Sequence, residues 1–138
     1  TRLATNSVSC TASFTQMAGI EALEGPQEES LKMIQEFHSR RDIIVEALNN
    51  INGISCKNPG GAFYVFPNVT EACRNLSLKD SRELQQYLLY EAGVAVLART
   101  CFGSKNQEEN QEYIRLSYAT SRENILEGIK RIKEAVEK

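Results

Sequence analysis

The chain has 138 residues, 16 of them basic and 18 acidic, with a net charge of −2; 41% are hydrophobic and 25% charged. That length fits one domain, or one domain and a piece of another, and is enough to bury a core without disulfide staples. The balanced charge offers no block for nucleic acid or an anionic membrane, and no apolar run approaches the ~18 residues of a spanning helix.

In chain order, Thr1-Arg2-Leu3-Ala4-Thr5-Asn6-Ser7 has no apolar signal region and no initiator methionine, so it is expected to have been cut from something longer. Residues 1–12 are rich in Thr, Ser and Asn and predict loop. Phe14, Met17, Ala18 and Ala22 then fall near one helical face. Gly25 is expected to cap that helix in the left-handed region, and Pro26 cannot continue it. Pro26 can open a second helix, predicted over about 27 to 51. Leu31, Ile34, Ile44, Val45 and Leu48 form its stripe, widened by Met33 and Phe37, with Glu28 and Glu29 at the positive end of the dipole. Such a rod is about 37 Å long, enough to bridge two domains.

Ile54-Ser55-Cys56 is a strand candidate. Asn58-Pro59-Gly60-Gly61 reads as a turn, and Ala62-Phe63-Tyr64-Val65-Phe66 as a strand closed by Pro67. Asp80 to Glu83 resembles a capping box, with Leu84, Tyr87, Leu88 and Ala92 on the apolar face behind it and Gly93 as the stop. Val94 to Ala98 reads as a buried strand, and residues 99–112 as polar loop. Tyr113 to Ala119 is a strand with Ile114, Leu116 and Tyr118 on one face and Arg115 and Ser117 on the other. Thr120 to Glu123 reads as a second capping box, leading to a stripe of Ile125, Ile129, Ile132 and Val136. The fold class is therefore α+β: a small antiparallel or mixed sheet with helices packed on one face, preceded by a long domain-linking helix.

Cys10, Cys56, Cys73 and Cys101 are irregularly spaced, and His38 is the one histidine. No zinc or iron–sulfur spacing results, and reduced thiols in a cytoplasmic protein are expected. The sequons Asn68-Val69-Thr70 and Asn75-Leu76-Ser77 are chance matches in that setting. His38 sits among Gln35, Ser39 and Arg41 and reads as solvated; Arg40-Arg41 reads as a wet helix face.

Three segments carry a resemblance. Pro59-Gly60-Gly61-Ala62-Phe63-Tyr64-Val65-Phe66-Pro67 resembles a P-x-G-A-F-Y-x-F-P segment. Gly93-Val94-Ala95-Val96 followed by Cys101-Phe102-Gly103 resembles a G-V-x-V…F-G strand and loop. Tyr113-Ile114-Arg115-Leu116-Ser117-Tyr118-Ala119 resembles a (Y/H)-(I/V)-R-(I/L)-S-(Y/F)-A strand. Upstream, Asn6 to Ser13 and Gln16-Met17-Ala18 are similar to a Ser/Thr-rich segment followed by Gln-x-Ala. In this order they resemble the C-terminal portion of the aspartate aminotransferase family, fold type I enzymes that use pyridoxal 5'-phosphate (PLP).

The resemblance implies that Arg115 binds the α-carboxylate of an amino acid. A guanidinium fork matches a carboxylate in two parallel bonds and keeps its charge, where lysine would attract without orienting. Taken alone, an arginine on a strand reads more simply as an edge-strand residue in a surface ion pair. Phe102 is expected to line the substrate pocket. Gly61, with Gly60, is expected to let backbone approach the closed active site or to form a tight turn. Tyr64 and Tyr118 read as sheet residues. Arg99 stands where many relatives carry a Pro-Gly-containing loop.

The family's PLP lysine lies in S-K-x-(Y/F) followed by G-x-R-x-G. Here Ser104-Lys105 is followed by Asn106-Gln107-Glu108 and reads as solvated loop. The lysine and the cofactor-binding residues are therefore expected outside this chain, with no catalytic, cofactor-binding or metal-binding residue within it. Residues 1–25 would be the tail of the large PLP-binding domain. Residues 26–138 would be the small substrate-closing domain, including the linking helix over 27–51. The full enzyme would move an amino group between an amino acid, such as aspartate, and a 2-oxo acid, and would be a homodimer; the fragment alone would be inactive. Arg2 lies near a specificity position, but no motif anchors it. A lyase or decarboxylase on the same fold, and a free-standing α+β amino-acid-binding or regulatory module without catalysis, are the alternatives.

Overall fold

A computed structural model describes Leu3, Ser7 and residues 9–138. It divides into two compact units, residues 1–34 and 35–138. In the first, Leu3 and Ser7 are helical where loop was predicted, and Ser9 to Ala12 are irregular. The remainder of residues 1–8, Arg2 and part of the Asn6–Ser13 segment included, lies outside the described residues. Helix α1 (Ser13–Glu24) follows, and none of its residues is buried. Phe14, Met17 and Leu23 stand out bare. Gly25 ends the helix, but at φ −74° it is extended and not left-handed. Its N–H donates to Glu21 O (2.8 Å), which already satisfies one terminal carbonyl.

Helix α2 (Glu28–Asn49) begins with Glu28 and Glu29 in its first turn, as the dipole favours. The division between the units falls within it. In the first unit Leu31, Met33 and Ile34 are exposed; in the second, Ile44 and Leu48 are buried and Phe37 and Val45 pack against the core.

The predicted strand at Ile54-Ser55-Cys56 is not formed; it is reduced to one bridge, Ser55 to Asn68. The Asn49 side chain explains this. Its Oδ1 accepts from Cys56 N (2.8 Å) and its Nδ2 donates to Cys56 O (3.0 Å), so both backbone groups are already paired. The turn at Asn58–Gly61 also differs: the left-handed residue is Ala62, at φ 60°, and neither Gly60 nor Gly61 has a positive φ.

Strand β1 (Tyr64–Val65) is followed by a short helix that periodicity did not reveal, α3 (Thr70–Asn75). Asn68 Oδ1 receives Thr70 N at 2.9 Å at its start. Helix α4 (Ser81–Glu91) has the expected cap: Asp80 accepts from Arg82 N and Glu83 N. Glu83 reaches back to Lys79 N (2.7 Å), one residue before the position a capping box uses. Gly93, at φ 65°, turns the chain so that Val94 N donates to Leu88 O (3.0 Å), a closure one residue longer than that of a Schellman stop.

Strand β2 is only Leu97–Ala98, and a 3-10 helix, η1 (Arg99–Phe102), opens the segment predicted as loop. Strand β3 (Ile114–Ser117) leads to α5 (Arg122–Val136), whose cap is Ser121 and not Thr120. The sheet is antiparallel throughout, in the order β1-β3-β2. Val65, Ile114 and Leu116 join Leu48, Leu84, Leu88, Ile125, Ile129 and Ile132 in a single core, so the helices cover one face of the sheet and the class is α+β. No described helix is long and apolar enough to cross a membrane.

Candidate functional site

The alternation along β3 decides what the sheet presents on each side. Ile114, Leu116 and Tyr118 are buried, and Tyr118 Oη donates to Ala62 O (2.8 Å). Arg115 and Ser117 therefore stand on the opposite face. Register adds their neighbours: Tyr64 pairs with Ser117, and Leu97 with Arg115. The turn of η1 brings Phe102 to the same place.

The result is a cation between two rings. Arg115 Cζ lies 4.3 Å from the Tyr64 ring centroid and 4.4 Å from that of Phe102. Phe102 meets Phe66 edge-on at 5.8 Å, and Phe66 stacks on Tyr113 at 5.4 Å with an interplanar angle of 9°. Beside Arg115 is a hollow of about 170 Å³ lined by Tyr64, Ala95, Val96, Leu97, Arg115 and Ser117. The surface-ion-pair alternative does not describe this arginine. Its strand is central in the sheet, and among the described residues it has neither a carboxylate partner nor a side-chain hydrogen bond. A half-buried guanidinium held by rings, with no acid bound to it, is available to an incoming anion.

Arg115 and Phe102 are thus brought together, although Phe102 lies against the arginine and does not itself line the hollow. Gly61 is not: it is exposed, does not line the hollow, and an added Cβ would meet nothing within 4 Å. Tyr64, read as a sheet residue, is the site residue that sequence reasoning missed. The signal available was its place opposite Ser117, which needs the register of β1 on β3.

The loop after Phe102 is tied down. Arg99 binds Glu109 through two bonds (2.7 and 2.9 Å) and donates to Gly103 O (3.2 Å). Arg99 holds the Glu109 carboxyl below its ordinary range. Lys105 is not solvated as predicted: it pairs with Glu112, which is buried and also accepts from Ser81 N (2.8 Å). Burial pushes the Glu112 carboxyl up, but the bonds from Lys105 and Ser81 together outweigh it, and the net shift is down. Arg40 and Arg41 are half-buried and each paired, Arg40 with Glu36 and Arg41 with Asp42, so that face is drier than predicted. Glu36 also binds Arg122, and the two arginines, Arg122 first, hold its carboxyl at about 2.

The implied cofactor would need a lysine to hold it as a Schiff base. No lysine lines the hollow beside Arg115, and Lys105 is engaged with Glu112. The residues here fit an anion such as a carboxylate and do not fit PLP.

The family described as aminotransferase class I and II matches residues 1–132. An aspartate aminotransferase of Pyrococcus horikoshii is 42% identical over 91% of this chain and 30% of its own length. One of Bacillus subtilis is 42% identical over 100% of this chain and 34% of its own. The crystal structure of the aspartate aminotransferase from Rhizobium meliloti superposes with a TM-score of 0.84 at 34% identity, covering 98% of this chain and 34% of that one. The chain thus spans about a third of the length of these relatives.

Proposed function

The chain belongs to the class I and II aminotransferases, and from this we infer that it is the substrate-closing part of a PLP-dependent transaminase in which Arg115 receives the α-carboxylate. The observation that carries the reading is the unpaired guanidinium between Tyr64 and Phe102 on the open face of the sheet. Two parallel bonds from its fork fix both the position and the tilt of the carboxylate. Fixing the tilt aims the Cα–H bond for proton removal.

The lysine that carries PLP and the residues that hold its ring and phosphate belong, in this reading, to the rest of the large domain. Residues 1–25 are the tail of that domain and residues 26–138 the small domain. The bare Phe14, Met17 and Leu23 of α1 suit burial against such a neighbour. The full enzyme is a cytoplasmic homodimer that exchanges an amino group between an amino acid and a 2-oxo acid. Aspartate with 2-oxoglutarate is the first pair to test, since all three relatives named above are aspartate aminotransferases. The chain alone is inactive.

In the full-length protein, Arg115→Ala should raise KM for every amino acid and 2-oxo acid alike and lower kcat/KM about 100-fold, near the worth of the charge-assisted bonds lost. Unchanged kinetics would end the carboxylate assignment. Stoichiometric incorporation of PLP into this chain alone on borohydride reduction would refute the external lysine.

A further inference from the structure

We propose that Tyr64 and Phe102 are positioning residues that grip the Arg115 guanidinium between their rings and aim its donor edge at the substrate carboxylate. This rests on the carboxylate reading and gives Phe102 a different role from a pocket lining: it acts through Arg115.

The geometry supplies the grip. β1 and β2 flank β3 on opposite sides. Tyr64 comes from β1, and Phe102 from the turn that follows β2. Each ring centroid is within 4.4 Å of Arg115 Cζ. A guanidinium donates only in its own plane, so rings that cover its faces leave the donors free. Without them, an arginine side chain on an open sheet face has several rotatable bonds whose freedom is lost on binding. Held between rings, it loses that freedom before the substrate arrives.

Both jaws are braced. Phe102 rests edge-on against Phe66, which is stacked on Tyr113. Tyr64 packs on Phe63 with centroids 4.5 Å apart and is fixed by pairing with Ser117. Among the described residues no acid takes part, which matters: a carboxylate would hold the arginine as firmly but would compete with the substrate for the same donors.

The test is steady-state kinetics on the full-length enzyme with aspartate and 2-oxoglutarate. Tyr64→Leu and Phe102→Leu should each raise KM for both substrates about three- to tenfold, the range of a partly desolvated cation–π contact, with kcat changed less than about twofold. Tyr64→Phe, which keeps the ring, should stay within about twofold of the parent. In an Arg115→Lys background, Tyr64→Leu should add less than about twofold, because the fork it aims is gone. The clamp is overturned if Tyr64→Phe is as impaired as Tyr64→Leu, or if the effect persists in full beside Arg115→Lys. It is equally overturned if the leucine variants match the parent while Arg115→Lys is strongly impaired. Normal kcat/KM in Arg115→Lys would instead defeat the carboxylate reading itself.

Discussion

Replacing Glu112 by glutamine keeps the size of the side chain and removes its charge where donors converge on it. Oε2 accepts from Ser81 N (2.8 Å) and Oε1 from Lys105 Nζ, while the residue's own N–H donates to Thr70 Oγ1 (2.9 Å). Ser81 begins α4, so the carboxylate also faces the positive end of that helix. Glutamine can accept one of the two side-chain bonds, but its NH2 group then turns toward the other donor. One hydrogen bond to a charged group is worth about 1.5–3 kcal/mol, and breaking a fully buried pair costs about 3–5 kcal/mol. Lys105 retains a quarter of its side-chain surface in water, which sets the loss at the lower end, about 2–3 kcal/mol. The sign with pH follows from the lowered carboxyl. A group depressed in the folded state contributes fully above its unfolded value of about 4.3 and loses that contribution as pH falls through the folded value. The deficit of Glu112→Gln should therefore be complete at pH 7 and shrink as the pH is lowered below about 4.3. Urea titrations of the two proteins across that range measure it, with hydrogen exchange in α4 as the local readout. A deficit below about 0.5 kcal/mol at pH 7, or one that grows in acid, would refute the network as described.

Gly53→Ala should be severe: φ is 81°, and the new Cβ would sit 2.8 Å from Ala72 N, a backbone atom with no room to yield. A loss of about 2–4 kcal/mol in the urea titration is expected. Arg99→Lys keeps the charge but cannot span both Glu109 oxygens; hydrogen exchange at the Glu109 amide, now bonded to Asn106 O, should quicken about tenfold, the equivalent of one bond. Among the four thiols of this chain, Cys10 and Cys101 are exposed and should be alkylated by iodoacetamide at about pH 8. Cys56 and Cys73 should be protected, since burial pushes both up to about 11; mass spectrometry of the peptides distinguishes the two pairs.

The longer helices were legible because their signals are local. Asp80 and Gly93 mark the ends of α4 by capping chemistry that needs only the residues within one turn. The strand at Ile54-Ser55-Cys56 was not, because Asn49, seven residues away, takes both backbone groups of Cys56. Helix α3 was missed for want of length: six residues carry less than two turns of periodicity. The stripe on α2 shows a different limit. Leu31 and Ile34 obey the same spacing as Ile44 and Leu48, yet only the second pair is buried. Periodicity states which face seeks cover; it does not state where the cover comes from.

Of the site, Arg115 could be read from alternation and motif, but Tyr64 could not, because its partnership is set by register. The core nevertheless compels that register. Val65 and Leu116 are paired and both point inward. A slip of one residue would turn Tyr64 into the core and Val65 out to the open face, exchanging a fitted valine for a ring with a hydroxyl and no room. The same hydrophobic demand that closes the core therefore delivers Tyr64 to the face that carries Arg115. Phe102 depends instead on a local device. Gly103 follows it at φ 108°, where a side chain would be strained, and Arg99 holds Gly103 O and Glu109 together. One jaw of the clamp is thus fixed by the core and the other by a salt-bridged loop. Perturbing Arg99 should loosen Phe102 and leave Tyr64 in place.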